Sequence, residues 1–151
     1  MKTIHIIDPS PDILVLQVQT VVDMVILVPS AAVEAVGSMA VPVCGKNEID
    51  IMVVSDDVAG ISAMLVNNGY RQGPIEKGIS YLNKYVGETE VAVQVIPNGH
   101  KMIEIHRVIL HRLQSDQGLR DRYAAFKRTL DGLPSDEYKT RKSEWIRANL
   151  L

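Results

Sequence analysis

The stretch Gly37-Ser38-Met39-Ala40-Val41-Pro42 is followed, past a loop carrying Gly45 and Lys46, by Glu48-Ile49-Asp50-Ile51. The first part is a glycine turn and the second a strand that alternates acidic and apolar residues. Side chains alternate across a strand, so Glu48 and Asp50 project one way while Ile49 and Ile51 face the core. Two carboxylates on a rigid strand beside a glycine turn suit a hard, oxygen-seeking cation that also touches phosphate. Backbone amides of the turn can cradle a triphosphate, with Gly37 permitting close approach and the Ser38 hydroxyl adding a donor. On spacing alone, an ordinary strand-to-helix turn ahead of a half-buried strand explains the same residues, and it is the commoner case.

The wider pattern shifts that balance. The segment Ala35-Val36-Gly37-Ser38-Met39-Ala40-Val41-Pro42, with Lys46 and Ile49-Asp50-Ile51 after it, resembles the GrpB family. The family's usual run is His-Ile-Gly-Ser-Thr-Ala-Val-Pro, then a loop, a lysine and Ile-Ile-Asp-Ile. Gly69-Tyr70 is similar to the Gly-Tyr that closes the family's next helix. Tyr123-Ala124-Ala125-Phe126-Lys127-Arg128 resembles its Tyr-Ala-x-Leu-Lys-Arg. Tyr138 with Lys142-Ser143-Glu144-Trp145-Ile146 resembles its closing Tyr-x-x-x-Lys-x-x-Phe-Ile.

The departures are equally specific. Asp8-Pro9-Ser10-Pro11 lacks the family's opening tryptophan, Ala35 replaces its histidine, and Met39 its threonine. Its His-x-His strand falls on Ala92-Val93-Gln94, and its Phe-Arg-Asp becomes Ile109-Leu110-His111. Glu48 stands where the family often has isoleucine, which gives this chain a second carboxylate on the strand.

The resemblance implies the nucleotidyltransferase superfamily: an α/β (α+β) fold with a small mixed sheet, helices on one side and a C-terminal helical subdomain. It implies a magnesium-dependent transfer of a nucleoside monophosphate from an NTP to an acceptor. Glu48 and Asp50 would hold the magnesium and form the catalytic pair. Gly37, Ser38, Lys127, Lys142, Tyr123 and Tyr138 would bind the nucleotide or another phosphate-bearing small molecule. The usual third carboxylate comes from a neighbouring strand; here that strand carries Ala92 and Gln94, with Glu90 near its start as the acidic option. The alternatives are a noncatalytic nucleotide- or anion-binding module on the same fold, and an interaction protein whose groove takes no ligand.

Tyr123/Lys127 and Tyr138/Lys142 each sit four apart, so each pair shares a helical face. Those faces are otherwise apolar, and a lysine on one either snorkels to water or meets an anion. His100, His106 and His111 fall in one helical region; the last two are wrongly spaced for a shared metal, and all three read as surface or core residues.

Composition sets the outer bounds. A chain of 151 residues fits one domain over 1–151, with 46% hydrophobic and 23% charged residues, as in ordinary globular proteins. A formal net charge of −2 argues against nonspecific nucleic-acid binding, although basic residues crowd the C-terminal third. Cys44 is the single cysteine, which favours a reducing, cytoplasmic setting. Ile13 to Val28 is apolar but broken by Gln17, Gln19 and Asp23, so it does not read as a membrane span.

Along the chain, Pro11 and Asp12 open a helix with Leu14, Val18, Val21 and Val25 at helical spacing, against the strand preference of its valines. Ala32–Val36 and Ile49–Val54 read as strands. Ser55-Asp56-Asp57 offers caps for a helix closed by Gly69. Arg71 to Gly78 reads as a mobile, turn-rich segment, and Tyr81–Val86 with Glu90–Ile96 as a hairpin around Gly87. Three helices follow, over 101–115, 118–131 and 135–149, with Ser135 as the cap of the third.

Overall fold

The computed structural model describes residues 2–151. The first helix, α1 (Pro11–Leu27), starts where the Ser10 hydroxyl accepts the Ile13 amide at 3.2 Å and a proline occupies the first turn. Its valines do not turn it into a strand. Their propensity cost is a few tenths of a kcal/mol each, and burial of Ile13, Thr20 and Met24 against the sheet outweighs it. Val15, Val18, Val22 and Val25 remain on its open side.

Next come β1 (Ala32–Val36), a 3-10 turn over Ser38–Ala40, β2 (Glu48–Val54) and α2 (Val58–Asn67). The Asp57 carboxylate accepts the Gly60 amide to cap α2, and Gly69, at φ 93°, lets the chain reverse after it. Then follow β3 (Arg71–Glu76), β4 (Ile79–Val86), β5 (Thr89–Ile96), α3 (Lys101–Ser115), α4 (Gln117–Arg128) and α5 (Ser135–Asn149).

Three expectations are corrected here. Arg71 to Gly78 is not a mobile turn: Arg71–Glu76 forms an edge strand antiparallel to β4, with a register shift between Gln72 and Ile75. Its side chains are all exposed, so no apolar alternation marks it in the sequence. Pro134, not Ser135, occupies the N-cap of α5, and no side chain caps that helix. The α4 helix ends at Arg128, short of 131, where the Thr129 amide folds back onto Phe126 and Lys127.

The five strands lie in the order β1-β2-β5-β4-β3. β2 and β5 run parallel and every other pairing is antiparallel. A parallel pair needs a long crossover, and here α2, β3 and β4 supply it. Ile49, Ile51 and Val53 of β2, with Val91, Val93 and Val95 of β5, point toward α1 and α2 and form the main core. The opposite face divides. Near the ends of β2 and β5, α3 covers it with Met102 and Ile103 packed over Met52, Val54 and Ile96. Near their starts it is open.

The C-terminal helices close one side of that opening. Trp145 of α5 stacks on Tyr123 and Phe126 of α4, with ring centroids 5.1 and 5.3 Å apart. The N-terminal segment threads between them and the sheet, bridging Thr3 to Pro134 and Ile7 to Gly45. Among the described residues, no helix is long and apolar enough to cross a membrane.

Candidate functional site

The strand register builds the site. Side chains of Glu48 and Asp50 emerge on the open face of β2, next to Glu90 and Ala92 on β5 and then Tyr85 and Asn83 on β4. Together they floor a groove of about 700 Å³ whose walls include Lys2, Thr3, His5, Lys46, Ser135 and Lys139. Alternation therefore does for β2 what it must: Ile49 and Ile51 are fully buried behind the sheet while both acids face the groove.

The two carboxylates crowd each other. Burial, then the neighbouring Asp50 charge and a hydrogen bond with it, push Glu48 up to about 7, although Lys46 bridges it at 3.1 Å and pulls the other way. Two acids sharing one site cannot both ionise cheaply.

Gly37 sits against Asp50 from the β1 side. Its φ is 76°, and a Cβ there would collide with Asp50 Oδ2, so both backbone and space demand glycine. Gly37 and Ser38 do not line the groove floor. They stand across Asp50 from it, on the side of the sheet edge formed by β1, whose Val36 pairs with Asp50.

Lys127 neither snorkels to water nor lies in the groove. It is 1% exposed and its ammonium donates to the Ser38 hydroxyl oxygen. A Cβ on Gly45 would come within 2.8 Å of Ser38 Oγ and 2.9 Å of Lys127 Nζ, so this loop closes over the pair only because it carries glycine. Burial, and then the charge of Lys142, lower the Lys127 pKa well below the ordinary lysine range.

Lys142 is half-buried, 5.8 Å from the Tyr138 ring centroid. Burial works against its charge, but Tyr123, Tyr138, Asp50 and Glu48 outweigh that and hold its pKa above the ordinary range. Lys46 approaches the same Tyr138 ring at 5.6 Å, and Lys127 lies 5.0 Å from the Tyr123 centroid. Tyr138 is buried, and its hydroxyl has no hydrogen-bond partner among the described residues.

The expected third carboxylate is not beside Asp50. Ala92 occupies that register position, while Glu90 pairs with Glu48 and accepts from Asn83 Nδ2 at 2.9 Å. Among the described residues, no three His, Cys, Asp or Glu side chains converge as a metal cage.

Some contacts around the groove escape the sequence reading. His106 of α3 hydrogen-bonds Gln94 at 3.1 Å, with its pKa lowered by burial and by Lys142. That contact joins two distant elements, and no local pattern announces it. Tyr81, Asn83 and Tyr85 do leave a trace, because a period-two run of polar and aromatic residues marks one face of β4.

Comparison with known proteins agrees with this architecture. The family described as GrpB protein matches residues 8–150. Among solved structures, the conserved protein GrpB from Enterococcus faecalis superposes with a TM-score of 0.74 at 17% identity, covering 95% of this chain and 98% of that one. The Cid1 poly(U) polymerase, in a form described as bound to Mg 3′-dATP, gives 0.61 at 13% identity over 80% of this chain and 42% of its own. The GLD-2/RNP-8 complex gives 0.57 at 14% identity over 80% and 49%. At these identities the likeness is one of fold. No curated protein sequence matches the chain. With its family match running almost from end to end and its sheet laid out on a nucleotidyltransferase-like plan, the chain belongs to the GrpB family.

Proposed function

We propose that this protein binds a nucleoside triphosphate together with magnesium and transfers the nucleoside monophosphate to an acceptor hydroxyl. The observation that supports this most is the pairing of Glu48 with Asp50 on the groove face, with the Gly37 turn held against Asp50. Two acids, one of which burial and then the neighbouring Asp50 charge keep protonated to about 7, are a donor set that a hard cation would relieve. Glu48 and Asp50 would hold the ion, leaving phosphate oxygens to complete its shell. When bound, magnesium neutralises charge on the phosphates of the reacting nucleotide.

The chain's own groups take the remaining tasks. Because the Ser38 oxygen accepts from Lys127, its O–H is free to donate to a phosphate oxygen. Lys142, whose charge Tyr123, Tyr138, Asp50 and Glu48 hold against its burial, would take the outer phosphates. Tyr123 and Tyr138 hold the two ammonium groups in place, and the unpartnered Tyr138 hydroxyl offers one more donor. In the transfer an oxygen–phosphorus bond forms at the α-phosphate and the bond to the bridging oxygen breaks. Pyrophosphate leaves, and the hydroxyl proton passes to water.

A second reading keeps the binding and drops the chemistry. Ala92 beside Asp50 favours it, since a transfer site ordinarily gains a further acid from that strand.

Calorimetry with each NTP, with and without magnesium, tests both. Wild type should bind only when magnesium is present, and Asp50→Asn should lose that binding while staying folded, because an amide keeps the shape without the charge. Equal binding by the two proteins would remove Asp50 from the metal site. Pyrophosphate release separates the enzyme from the noncatalytic module. A thermal-shift screen is a sensitive preliminary, since ligand at a hundred times its Kd stabilises by about 2.7 kcal/mol.

A further inference from the structure

The carboxylate pair divides the site into two sides. Gly37, Ser38 and Lys127 lie toward β1, whereas the groove of about 700 Å³ extends the other way, over β5 and β4. In phosphoryl transfer the attacking and leaving oxygens lie roughly in line across the phosphorus. If the donor's phosphates occupy the Gly37–Ser38 side, attack comes from the groove. This argument rests on the nucleotidyl-transfer reading above.

The groove is shaped for a particular chemistry. Tyr81, Asn83 and Tyr85 share one face of β4 and line it. Tyr85 is 51% exposed, so its ring is open for stacking. Asn83 already donates to Glu90 through Nδ2, which leaves its Oδ1 to accept from a ligand amine. Across the groove stand Lys2, His5 and Lys139, brought together because the Ser135 amide donates to the Lys2 carbonyl at 3.2 Å. Lys2 and Lys139 are exposed and make no ion pair among the described residues. The acids Glu48, Asp50, Glu88 and Glu90 line the groove too, three of them on the β2–β5 floor and Glu88 in the turn before β5. An aromatic platform, an amide edge and a facing pair of lysines are the elements that hold a base and its phosphate.

We propose that this part of the groove binds the acceptor, and that the acceptor is a nucleotide unit. Its base stacks on Tyr85, with an exocyclic amine on the Asn83 carbonyl oxygen, and its phosphate meets Lys2 and Lys139. An adenine or cytosine base carries that amine. The unit is either a free nucleotide or the end of a short RNA, and both present the same base and phosphate.

Amide-resolved NMR titrations of the full chain in EDTA, with 5′-AMP, ribose 5-phosphate and a 5′-phosphorylated four-nucleotide RNA, test this. The expected result is perturbation of Tyr81–Tyr85 and of residues around Lys139 by AMP, and at least fivefold weaker binding after Tyr85→Ala. Lys139→Ala should also weaken AMP, and ribose 5-phosphate should bind more weakly than AMP. Both substitutions are at exposed positions, and unchanged wild-type spectra elsewhere would confirm folding. Tighter binding of RNA than of AMP identifies an RNA end; equal binding identifies a free nucleotide. The proposal is overturned if neither ligand binds at millimolar concentration, if both variants bind as wild type does, or if the shifts are confined to Gly37 and Ser38. That last pattern would leave the donor site standing. Conversely, shifts at Tyr81–Tyr85 with no response of Gly37 and Ser38 to magnesium and NTP would retain the subsite and reject the transfer reading.

Discussion

Glu48 and Asp50 in the first half of β2 and Met52 and Val54 in the second half share one face of the sheet, yet they meet opposite environments. Met52 is 0% exposed beneath α3, while the Glu48 side chain borders an open groove. The difference comes from the path of α3. Its first turns lie on the sheet through Met102 and Ile103; at His106 the helix touches the floor once more, through Gln94. Beyond that, Ile109, Leu110 and Leu113 turn toward Val41, Val43 and the C-terminal helices. One strand thus serves as core at one end and as site at the other, according to what lies above it.

The largest expected effect sharpens this contrast. Ile51→Ala and Met52→Ala each empty a fully buried position, on opposite faces of β2, and should each cost about 2–5 kcal/mol in urea unfolding. Asp50→Asn, one residue away, should change stability by less than about 1 kcal/mol, because it relieves repulsion from Glu48 rather than opening a cavity. A loss at Asp50 as large as that at Ile51 would make the aspartate a structural residue and end the division of the strand.

The division is partly legible in the sequence. Glu48-Ile49-Asp50-Ile51 alternates, as a strand with one open face must, and Met52-Val53-Val54 is continuous, as a strand covered on both faces must be. The glycine turn and the helices after residue 100 are likewise local signals. What sequence does not carry is the meeting of remote parts. Lys127 reaching Ser38, His106 reaching Gln94, and Lys2 standing beside Lys139 each depend on how α3 to α5 return over the sheet. β3 is hidden for another reason: an edge strand exposed on all its side chains has no apolar face to betray it.

A smaller effect, of reversed sign, is expected at Glu48. Its pKa is near 7 in the fold against an ordinary 4.5, so the folded state holds the proton more tightly than the unfolded chain. The associated stability is complete below the unfolded value and is lost as pH rises through 7. Glu48→Gln carries no such proton. It should match wild type near pH 4 and exceed it at pH 8 by on the order of 2 kcal/mol. Urea titrations at pH 4, 6 and 8 give the comparison directly. A difference constant with pH would mean that neither burial nor Asp50 raises the Glu48 pKa, which would also remove the strongest ground for a cation between the two acids.

The smallest effect concerns Lys127, where the buried core and the polar site meet. Its lowered pKa means that the unfolded chain binds its proton more tightly than the folded one, so wild-type stability should rise with pH from that lowered value toward 10.5. Lys127→Met keeps the length and apolar contact of the side chain but has no proton to lose. At pH 7 it should be neutral or stabilising by about 1 kcal/mol, since buried charges are often replaced by apolar groups without loss. The pH slope should flatten, and the gain should shrink as the pH rises, because wild type then sheds its buried charge. The Ser38 hydroxyl is only half-buried and can turn to water when its donor is gone. A loss above about 2 kcal/mol at pH 7 would show instead that the ammonium fastens the Gly37 turn to the Gly45 loop. In that case the lysine belongs to the scaffold of the site, and its loss would abolish nucleotide binding by unseating Ser38 rather than by removing a contact to phosphate.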